Sequence, residues 1–422
     1  MRVAVIGAGV AGLSAAHELL RRGADPVVFE ALQRPGGKVA SFQERGFLTE
    51  DGPNFLARPL DALLDAAGLR GDVVRAAPPR TRWVHLDGRV LKAPGLRLLL
   101  AAGLPRAALE PLFARPLRDD LPLRDFLVQR LGKRAGSIAA AVMAAGVYAG
   151  DPGQLSALDA FPSLGASGER GSLLANALRG PKGPPRTLWS VRNGLGTLAA
   201  ALASALGARV RLGTAVSRLE PGRDRWRAQG EDFDAVVLAV PAGPAAELCR
   251  PFAPLVAEAL SGFRAAPVTV VHLGFPRDET PRGFGMLDAD GSLQCLGALF
   301  PSSMLPGRAP DGQALVTAIC GGAVHPERAA LEDGELVSRL RADLLRTLGI
   351  RSAPSYVRVV RWDEGIPQYA TGHRDRVRAV RELLAGLPRI EVAGASFDGV
   401  GVPDAAQSGV AAVGRLLPGS AT

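Results

Sequence analysis

Three glycines near the start of the chain, Gly7, Gly9 and Gly12, have the G-x-G-x-x-G spacing of a phosphate-binding turn. In such a turn the first glycine makes the tight bend, the second lets the backbone approach a pyrophosphate, and the third lets a helix pack closely on a strand. The residues between them are Ala8, Val10 and Ala11. The spacing predicts a dinucleotide site in which the N–H groups and dipole of a helix N-terminus bind phosphate.

The elements around this turn come in the order that such a site requires. Val3–Ile6 predicts a strand, Leu13–Leu20 repeats at helical spacing, and Pro26–Phe29 predicts a second strand. Glu30 ends the second strand, 18 residues after the third glycine, where a carboxylate can accept hydrogen bonds from a ribose diol. The order of strand, helix, strand and acid indicates dinucleotide binding rather than a merely structural glycine turn.

Length and composition indicate a large globular protein. The 422 residues suffice for two or three domains, and 47% apolar against 22% charged residues excludes a disordered chain. The formal charge is +9, but no basic run is interleaved with aromatic residues, so we expect no nucleic-acid partner. A mildly basic surface suits an acidic substrate or an anionic membrane face.

The cysteines and histidines follow no metal-binding or disulfide pattern. Cys249, Cys295 and Cys320 are widely spaced and the five histidines are scattered, so we expect a reducing compartment, no disulfide framework and no metal site. The first predicted strand leaves no room for a signal peptide, and no apolar run reaches the ~18–20 residues of a membrane span. We therefore expect a cytoplasmic protein, at most peripheral at the cytoplasmic face of the membrane.

The remaining segments predict an α/β protein with a discontinuous nucleotide domain. Continuously apolar Phe233–Pro241 predicts a strand buried on both faces of a parallel sheet, and Asp87-Gly88 predicts the turn of a hairpin over residues 81–91. Leu331–Leu348 has the pattern of an amphipathic helix, and a further helix is predicted over Asp404–Leu417, behind Pro403.

These elements predict three domains. Residues 1–75, 190–245 and 361–422 form a Rossmann-like domain, residues 76–93 and 246–360 an α+β substrate domain, and residues 94–189 a helical subdomain. In the helical subdomain, Leu96–Arg115 is either a core-facing helix or a helix on a membrane surface. Gly180–Arg186, with three prolines, is a predicted linker.

Five further motifs make the chain similar to the protoporphyrinogen oxidase family of the FAD-dependent amine oxidase superfamily. They are Arg34–Lys38, Gly52–Phe55, Gly146–Asp151, Arg361–Tyr369 and Asp398–Asp404. The similarity extends from residue 1 to residue 417, and the central and C-terminal motifs are the specific ones because many flavoproteins share the N-terminal turn. By its position alone, the first of these motifs is also expected to cover the pyrophosphate.

The resemblance implies noncovalent binding of FAD. The positions that match the cofactor contacts of the family are Gly7, Ala8, Gly9, Val10, Ala11, Gly12, Glu30, Ala31, Lys38, Gly52, Pro53, Asn54, Phe55, Val216, Trp362, Val400, Gly401 and Val402. Trp362 and Val400–Val402 are expected to close on the isoalloxazine ring, the latter from a helix N-terminus whose dipole stabilises negative charge.

For the substrate, the resemblance implies a porphyrinogen. Arg82 matches a basic position that pairs with a propionate, and Gly146, Phe284 and Leu287 match positions around the macrocycle. The implied reaction oxidises protoporphyrinogen IX to protoporphyrin IX in haem biosynthesis, with flavin N5 as hydride acceptor, dioxygen as oxidant and hydrogen peroxide as product. No side chain is expected to act as a general base.

Several alternatives stay open on the sequence alone. Coproporphyrinogen III, which carries two more carboxylates, would be oxidised to coproporphyrin III by an enzyme of similar sequence. A homodimer and a contact with a downstream ferrochelatase are further partners to consider. An amine oxidase is disfavoured, because such enzymes use a lysine near flavin N5 or a C-terminal cysteine tether, and the chain has no lysine after Lys182 and no cysteine after Cys320. A flavin-binding scaffold without turnover is the alternative from another class.

Overall fold

The computed structural model describes residues 1–58, 60–76, 81–103, 109–114, 119–164, 171–178 and 187–418. In chain order the strands are β1 (Arg2–Ile6), β2 (Asp25–Phe29), β3 (Ser41–Glu44), β4 (Phe47–Glu50), β5 (Val73–Arg75), β6 (Arg82–Leu86), β7 (Arg89–Ala93), β8 (Trp189–Val191), β9 (Val210–Arg211), β10 (Leu219–Pro221), β11 (Trp226–Ala228), β12 (Glu231–Phe233), β13 (Ala235–Leu238), β14 (Arg264–Pro276), β15 (Gly285–Asp288), β16 (Cys295–Leu299), β17 (Gln313–Gly321), β18 (Tyr356–Gln368) and β19 (Ile390–Val392).

The helices are α1 (Val10–Arg21), α2 (Asp61–Ala66), α3 (Leu96–Ala101), α4 (Glu110–Phe113), α5 (Leu123–Leu131), α6 (Lys133–Tyr148), α7 (Leu173–Leu178), α8 (Leu195–Leu206), α9 (Ala242–Cys249), α10 (Pro254–Ser261), α11 (Pro301–Met304), α12 (Asp333–Leu348), α13 (His373–Leu384) and α14 (Val402–Leu416). Short 3₁₀ helices cover Arg70–Asp72, Gly207–Arg209 and Pro326–Ala329.

The first sheet is parallel and draws its strands from three distant parts of the chain. Its order is β19-β13-β1-β2-β9. Helices α1, α8 and α14 contribute to the core on one face, and α9, α10 and α13 to the core on the other. All four residues of β13 are buried between β1 and β19, so the strand predicted within Phe233–Pro241 is confirmed. This is the predicted Rossmann-like, doubly covered sheet.

The second sheet is mixed and has seven strands in the order β18-β14-β17-β16-β15-β6-β7. Its β6–β7 hairpin confirms the predicted turn, because Asp87 and Gly88 have positive φ values of 50° and 71°. Helix α12 covers one face, with Leu336, Leu340 and Leu344 in the shared core. Strand β18 pairs with β14 from residue 356 to residue 368, so the boundary predicted at residue 361 falls within one strand.

The helical region lies between strands β7 and β8 in the sequence and contains helices α3 to α7. Helices α5 and α6 pack together around a core that includes Leu123, Phe126 and Ala144. Helix α3 buries none of its residues, so the core-facing interpretation of Leu96–Arg115 is wrong for this part of the segment. Residues 104–108 and 115 of that segment, and the predicted linker at 180–186, lie outside the described residues. Among the described helices, none is both long and apolar enough to span a bilayer.

Candidate functional site

The three glycines of the first turn occupy three different environments. Gly7 has a φ of +103°, a conformation that side chains rarely adopt, and so makes the bend. A Cβ atom on Gly12 would overlap the carbonyl oxygen of Gly7, so this glycine lets α1 pack against the turn. A Cβ atom on Gly9 would meet no atom within 4 Å. Only at Gly9 is the space beyond the backbone open, as a pyrophosphate would need.

Glu30 lies beside the turn, at the carboxyl end of β2. Its carboxylate accepts hydrogen bonds from the N–H groups of Ala8 (2.8 Å) and Leu32 (2.9 Å) and is 8% exposed. A carboxylate has about four acceptor positions, so these two bonds orient Glu30 and leave capacity for a ribose diol. The neighbouring Ala31 is exposed, whereas Val10 and Ala11 are buried in α1.

Residues 34–38 lie against the glycine turn, as their position predicts. The N–H of Gly36 donates to the Ala8 carbonyl oxygen (2.7 Å), and a Cβ on Gly37 would lie 3.6 Å from Gly9 Cα. Arg34 donates to the Gly37 carbonyl oxygen (2.8 Å) and so fixes this loop. Burial lowers the pKa of Lys38, an effect that the Glu364 carboxylate partly opposes.

The loop Gly52–Phe55 is held by the acid that precedes it. Asp51 accepts two hydrogen bonds from Arg358 (2.8 and 2.9 Å), and its carbonyl oxygen accepts one from Trp362 Nε1 (2.7 Å). A Cβ on Gly52 would overlap the Lys38 carbonyl oxygen, so the loop lies directly against residues 34–38. Pro53 and the buried Asn54 continue this loop, and the amide of Asn54 donates to the Gly52 carbonyl oxygen (3.3 Å).

Two further predicted cofactor segments lie at opposite ends of this region. Val216 packs against the core of the parallel sheet near Glu30, whose carbonyl oxygen accepts a hydrogen bond from Thr214 N (2.7 Å). At the other end, Gly401 begins α14 in an extended conformation, with no side chain capping the helix. The uncapped N–H groups next to Val400 and Val402 suit an electron-rich ring. The turn, the acid and this helix start together fit FAD.

The second sheet presents one open face toward these segments. Side chains on neighbouring positions of a strand point to opposite faces. Val271, Ala298 and Ala318 pack with α12, so Val270, Leu299 and Ile319 point away from it. We call this second side the open face. The pairing register places three predicted site residues on the open face: Arg82, Leu287 and Trp362.

The predicted substrate residues meet at one edge of the open face. The Arg82 guanidinium carbon lies 4.9 Å from the centre of the Phe284 ring, and that ring stacks on Phe55 with centroids 6.0 Å apart. A Cβ on Gly146, near the end of α6, would lie 3.3 Å from Leu287 Cδ1. These contacts place the four predicted substrate residues at the β15–β6 end of the open face and join Phe284 to Phe55 of the predicted flavin loop, Gly52–Phe55. We call the region bordered by these residues the cleft.

The chain is similar to known flavoproteins over nearly its whole length. The sequence pattern of the flavin-containing amine oxidoreductases matches residues 10–417. Protoporphyrinogen oxidase of Homo sapiens is 30% identical, over 98% of this chain and 98% of that protein. The chain belongs to the protoporphyrinogen oxidase family of flavin-containing amine oxidoreductases. It is an FAD-dependent oxidoreductase.

Other members of the family match over similar lengths. Protoporphyrinogen oxidase 1 of Spinacia oleracea is 30% identical over 90% of this chain and 77% of the plant protein. Coproporphyrinogen III oxidase of Bacillus subtilis is 27% identical over 98% of this chain and 97% of that protein. A crystal structure of a candidate protoporphyrinogen oxidase from Exiguobacterium superposes with a TM-score of 0.86, at 25% identity and 98% coverage of both chains.

Sequence reasoning missed two apolar positions on the open face of the second sheet. Leu299 and Ile319 are half-buried on the open face, between Arg82 and Trp362 in the sheet order. Residues 295–299 and 313–321 are apolar at most positions, so the sequence does not separate the two faces of these strands. The open face is identified only when the strand pairing is known.

Sequence reasoning also missed a cluster of His85, Asp288 and Asp290 at the far end of β6 and β15. His85 Nδ1 lies 3.0 Å from Asp288 Oδ1, and the three residues are close enough to hold a metal ion. The expectation of no metal site stays a prediction, because proximity of three such groups does not by itself show that an ion binds. The remaining carboxylate oxygens accept backbone hydrogen bonds from Leu293, Ser292 and Asp87. These bonds explain the cluster as a brace between the two strands.

Proposed function

We propose that the chain oxidises protoporphyrinogen IX to protoporphyrin IX, with dioxygen as acceptor. The observation that carries this proposal is the cleft in which Arg82, Phe284 and Leu287 lie on one sheet edge beside Gly146 and the flavin loop. A flat apolar face with a cation at one end suits a macrocycle that carries propionates. Loss of six electrons and six protons consumes three dioxygen molecules and yields three hydrogen peroxide molecules.

The chain's own residues bind and orient in this proposal. Arg82 pairs with a propionate, while Leu287, Leu299 and Ile319 supply the apolar face. Trp362 is fixed by its bond to the Asp51 carbonyl oxygen and closes the cleft on the cofactor side. The chemistry that FAD supplies when bound is acceptance of hydride from a meso carbon and passage of two electrons to dioxygen. No side chain is assigned the role of base.

Coproporphyrinogen III is the second candidate substrate. Arg277 and Arg282 lie on the segment that leads into Phe284, and Arg277 is only weakly bonded, to Ser303 Oγ (3.4 Å). Burial and the neighbouring Arg282 guanidinium lower the pKa of Arg277. Among the described residues, no carboxylate pairs with either arginine. Two arginines with no carboxylate partner in the described part of the chain, on the segment that precedes Phe284, favour a substrate with additional carboxylates.

A steady-state assay on both porphyrinogens, followed by porphyrin fluorescence, tests the proposal. We expect the higher kcat/KM for protoporphyrinogen IX. A higher value for coproporphyrinogen III would assign the second candidate, and no porphyrin from either would reject both. The assay includes boiled enzyme to subtract spontaneous oxidation in air.

We further propose cytoplasmic localisation with peripheral membrane contact through α3 and α4. The exposed leucines Leu96 (67%), Leu100 (60%) and Leu112 (74%) support this contact. Solvent-exposed leucines on short helices, near the exposed Arg97, suit the interface of an anionic bilayer. A homodimer and a ferrochelatase contact stay predictions of the family resemblance.

A further inference from the structure

Two consecutive side chains at the end of β18, those of Gln368 and Tyr369, reach two different walls of the cleft. Tyr369 is 4% exposed and Gln368 is half-buried. One wall is the end of α6, which carries Gly146. The other wall is the loop 394–401 that leads into α14 and carries Val400.

Gln368 holds the first wall. Its amide nitrogen donates to the carbonyl oxygen of Tyr148 (2.9 Å), the last residue of α6, and to that of Ile366 (2.9 Å). The last carbonyl groups of a helix have no partner within the helix, so this bond supplies one. It fixes the helix end at which Gly146 approaches Leu287.

Tyr369 holds the second wall. Its hydroxyl donates to the Ala395 carbonyl oxygen (2.7 Å) and accepts from the N–H of Gly399 (2.5 Å). Gly399 has a φ of +134°, so a backbone conformation open mainly to glycine is fixed by this bond next to Val400. Burial raises the pKa of Tyr369 and keeps the hydroxyl protonated, as a donor must be.

The ring of Tyr369 is itself fixed. It stacks on the imidazole of His373, with centroids 3.7 Å apart and an interplanar angle of 14°. His373 Nε2 lies 3.1 Å from the Phe397 carbonyl oxygen, so the stacked pair contacts the loop at a second point. A hydroxyl on a rigid ring positions the loop more closely than one on a mobile side chain.

We infer that Gln368 and Tyr369 are positioning residues that together set the spacing between the macrocycle wall at Gly146 and the flavin wall at Val400–Val402. The inference rests on the proposed function for the nature of the substrate. Neither side chain touches reacting atoms. Because the two residues are adjacent at one strand end, both walls are fixed to the same element, each by its own side chain.

The test is the variant Tyr369→Phe, which removes the hydroxyl and keeps the ring. We expect FAD to stay bound, its visible absorption bands to shift, kcat to fall by about tenfold or more, and KM to stay within about threefold, because a misplaced wall impairs alignment more than binding. Tyr356→Phe is the matched control at the opposite end of β18, since its ring stacks on Phe47 and its hydroxyl bonds to neither wall. The control is expected to match wild type.

A second variant, Gln368→Ala, tests the other wall. It is expected to raise KM by about five- to tenfold, the value of one lost hydrogen bond, and to leave the flavin bands unchanged. If Tyr369→Phe does not fold, Gln368→Ala decides the inference. A raised KM with unchanged flavin bands in that variant supports it. Wild-type spectra and kinetics in both variants, or loss of FAD from both, would overturn it. If wild type oxidises neither porphyrinogen, the proposed function fails, while the flavin spectrum of Tyr369→Phe still tests the positioning role.

Discussion

Gly9 is the residue at which cofactor binding can be separated from folding. Its Cβ position is open, so Gly9→Val is expected to fold but to fill the space of the pyrophosphate and yield apoprotein. Gly334→Val is the control, because this position in α12 is equally open and far along the chain from the turn. The measurement is flavin absorbance per protein after purification, with circular dichroism as the folding check. Full flavin occupancy in a folded Gly9→Val protein would refute the assignment of this turn.

Arg82 is the residue that should control substrate affinity. A propionate is remote from the reacting meso carbon, so its contact is present in ground and transition states alike and affects KM more than kcat. Arg82→Ala should raise KM by about ten- to a hundredfold, or roughly 1.4–2.7 kcal/mol. Arg82→Lys should recover part of this loss, because an ammonium lacks the planar fork.

Arg89→Ala, in the second strand of the same hairpin, is the control for Arg82 and should leave KM unchanged. Steady-state kinetics on both porphyrinogens checks the expectation. Wild-type KM values in Arg82→Ala would remove this residue from the site. The fallback candidates are Arg58, which pairs with Asp404 (2.8 Å), and Arg80, which lies outside the described residues.

At the scale of elements, a buried ion pair joins the β3–β4 hairpin to the segment that precedes β17. Glu50 accepts a hydrogen bond from Arg308 (2.8 Å), and the side chains are 4% and 2% exposed. Removing one partner leaves the other buried without compensation, so Arg308→Met should lower the free energy of unfolding by about 3–5 kcal/mol. The double variant Glu50→Gln, Arg308→Met should recover much of this loss. Urea unfolding of wild type, Arg308→Met, Glu50→Gln and the double variant measures the coupling, and additive effects would contradict it.

The exposed leucines of α3 and α4 make a second prediction at this scale. Replacing Leu96, Leu100 and Leu112 together by glutamine should abolish cosedimentation with anionic vesicles, and high salt should weaken the binding of wild type. Leu255→Gln is the control, because Leu255 is 65% exposed on α10, outside the helical region. Equal cosedimentation of the triple variant and wild type would exclude this surface as the membrane contact.

Elements with a local sequence signal were predictable, and contacts between distant segments were not. The glycine turn, strand β13 and the Asp87-Gly88 hairpin each depend on neighbouring residues, and each is confirmed. The bond from Arg358 to Asp51 joins residues that are far apart in the sequence. The bond of Tyr369 to the loop before α14 forms only because tertiary packing brings that loop to the end of β18. No periodicity encodes such pairs, so the cleft itself required the fold.

For the whole molecule, the predicted cofactor and substrate residues come from two sheets that border the cleft. The parallel sheet supplies the glycine turn and Glu30, and the open face of the second sheet supplies Arg82, Leu287 and Trp362. Residues of four motifs also converge here, although the motifs are far apart in the sequence: Gly52–Phe55, Gly146–Asp151, Arg361–Tyr369 and Asp398–Asp404. The family membership and this convergence support the central claim, which is that bound FAD oxidises a porphyrinogen.

The most direct test of that claim is an anaerobic single-turnover experiment on the purified holoenzyme. Protoporphyrinogen IX, and in parallel coproporphyrinogen III, is mixed with the enzyme under nitrogen while flavin absorbance and porphyrin fluorescence are recorded. The account predicts rapid bleaching of the flavin by at least one porphyrinogen, recovery on admission of air, and porphyrin formation over repeated cycles. A flavin that stays oxidised with both porphyrinogens would contradict it.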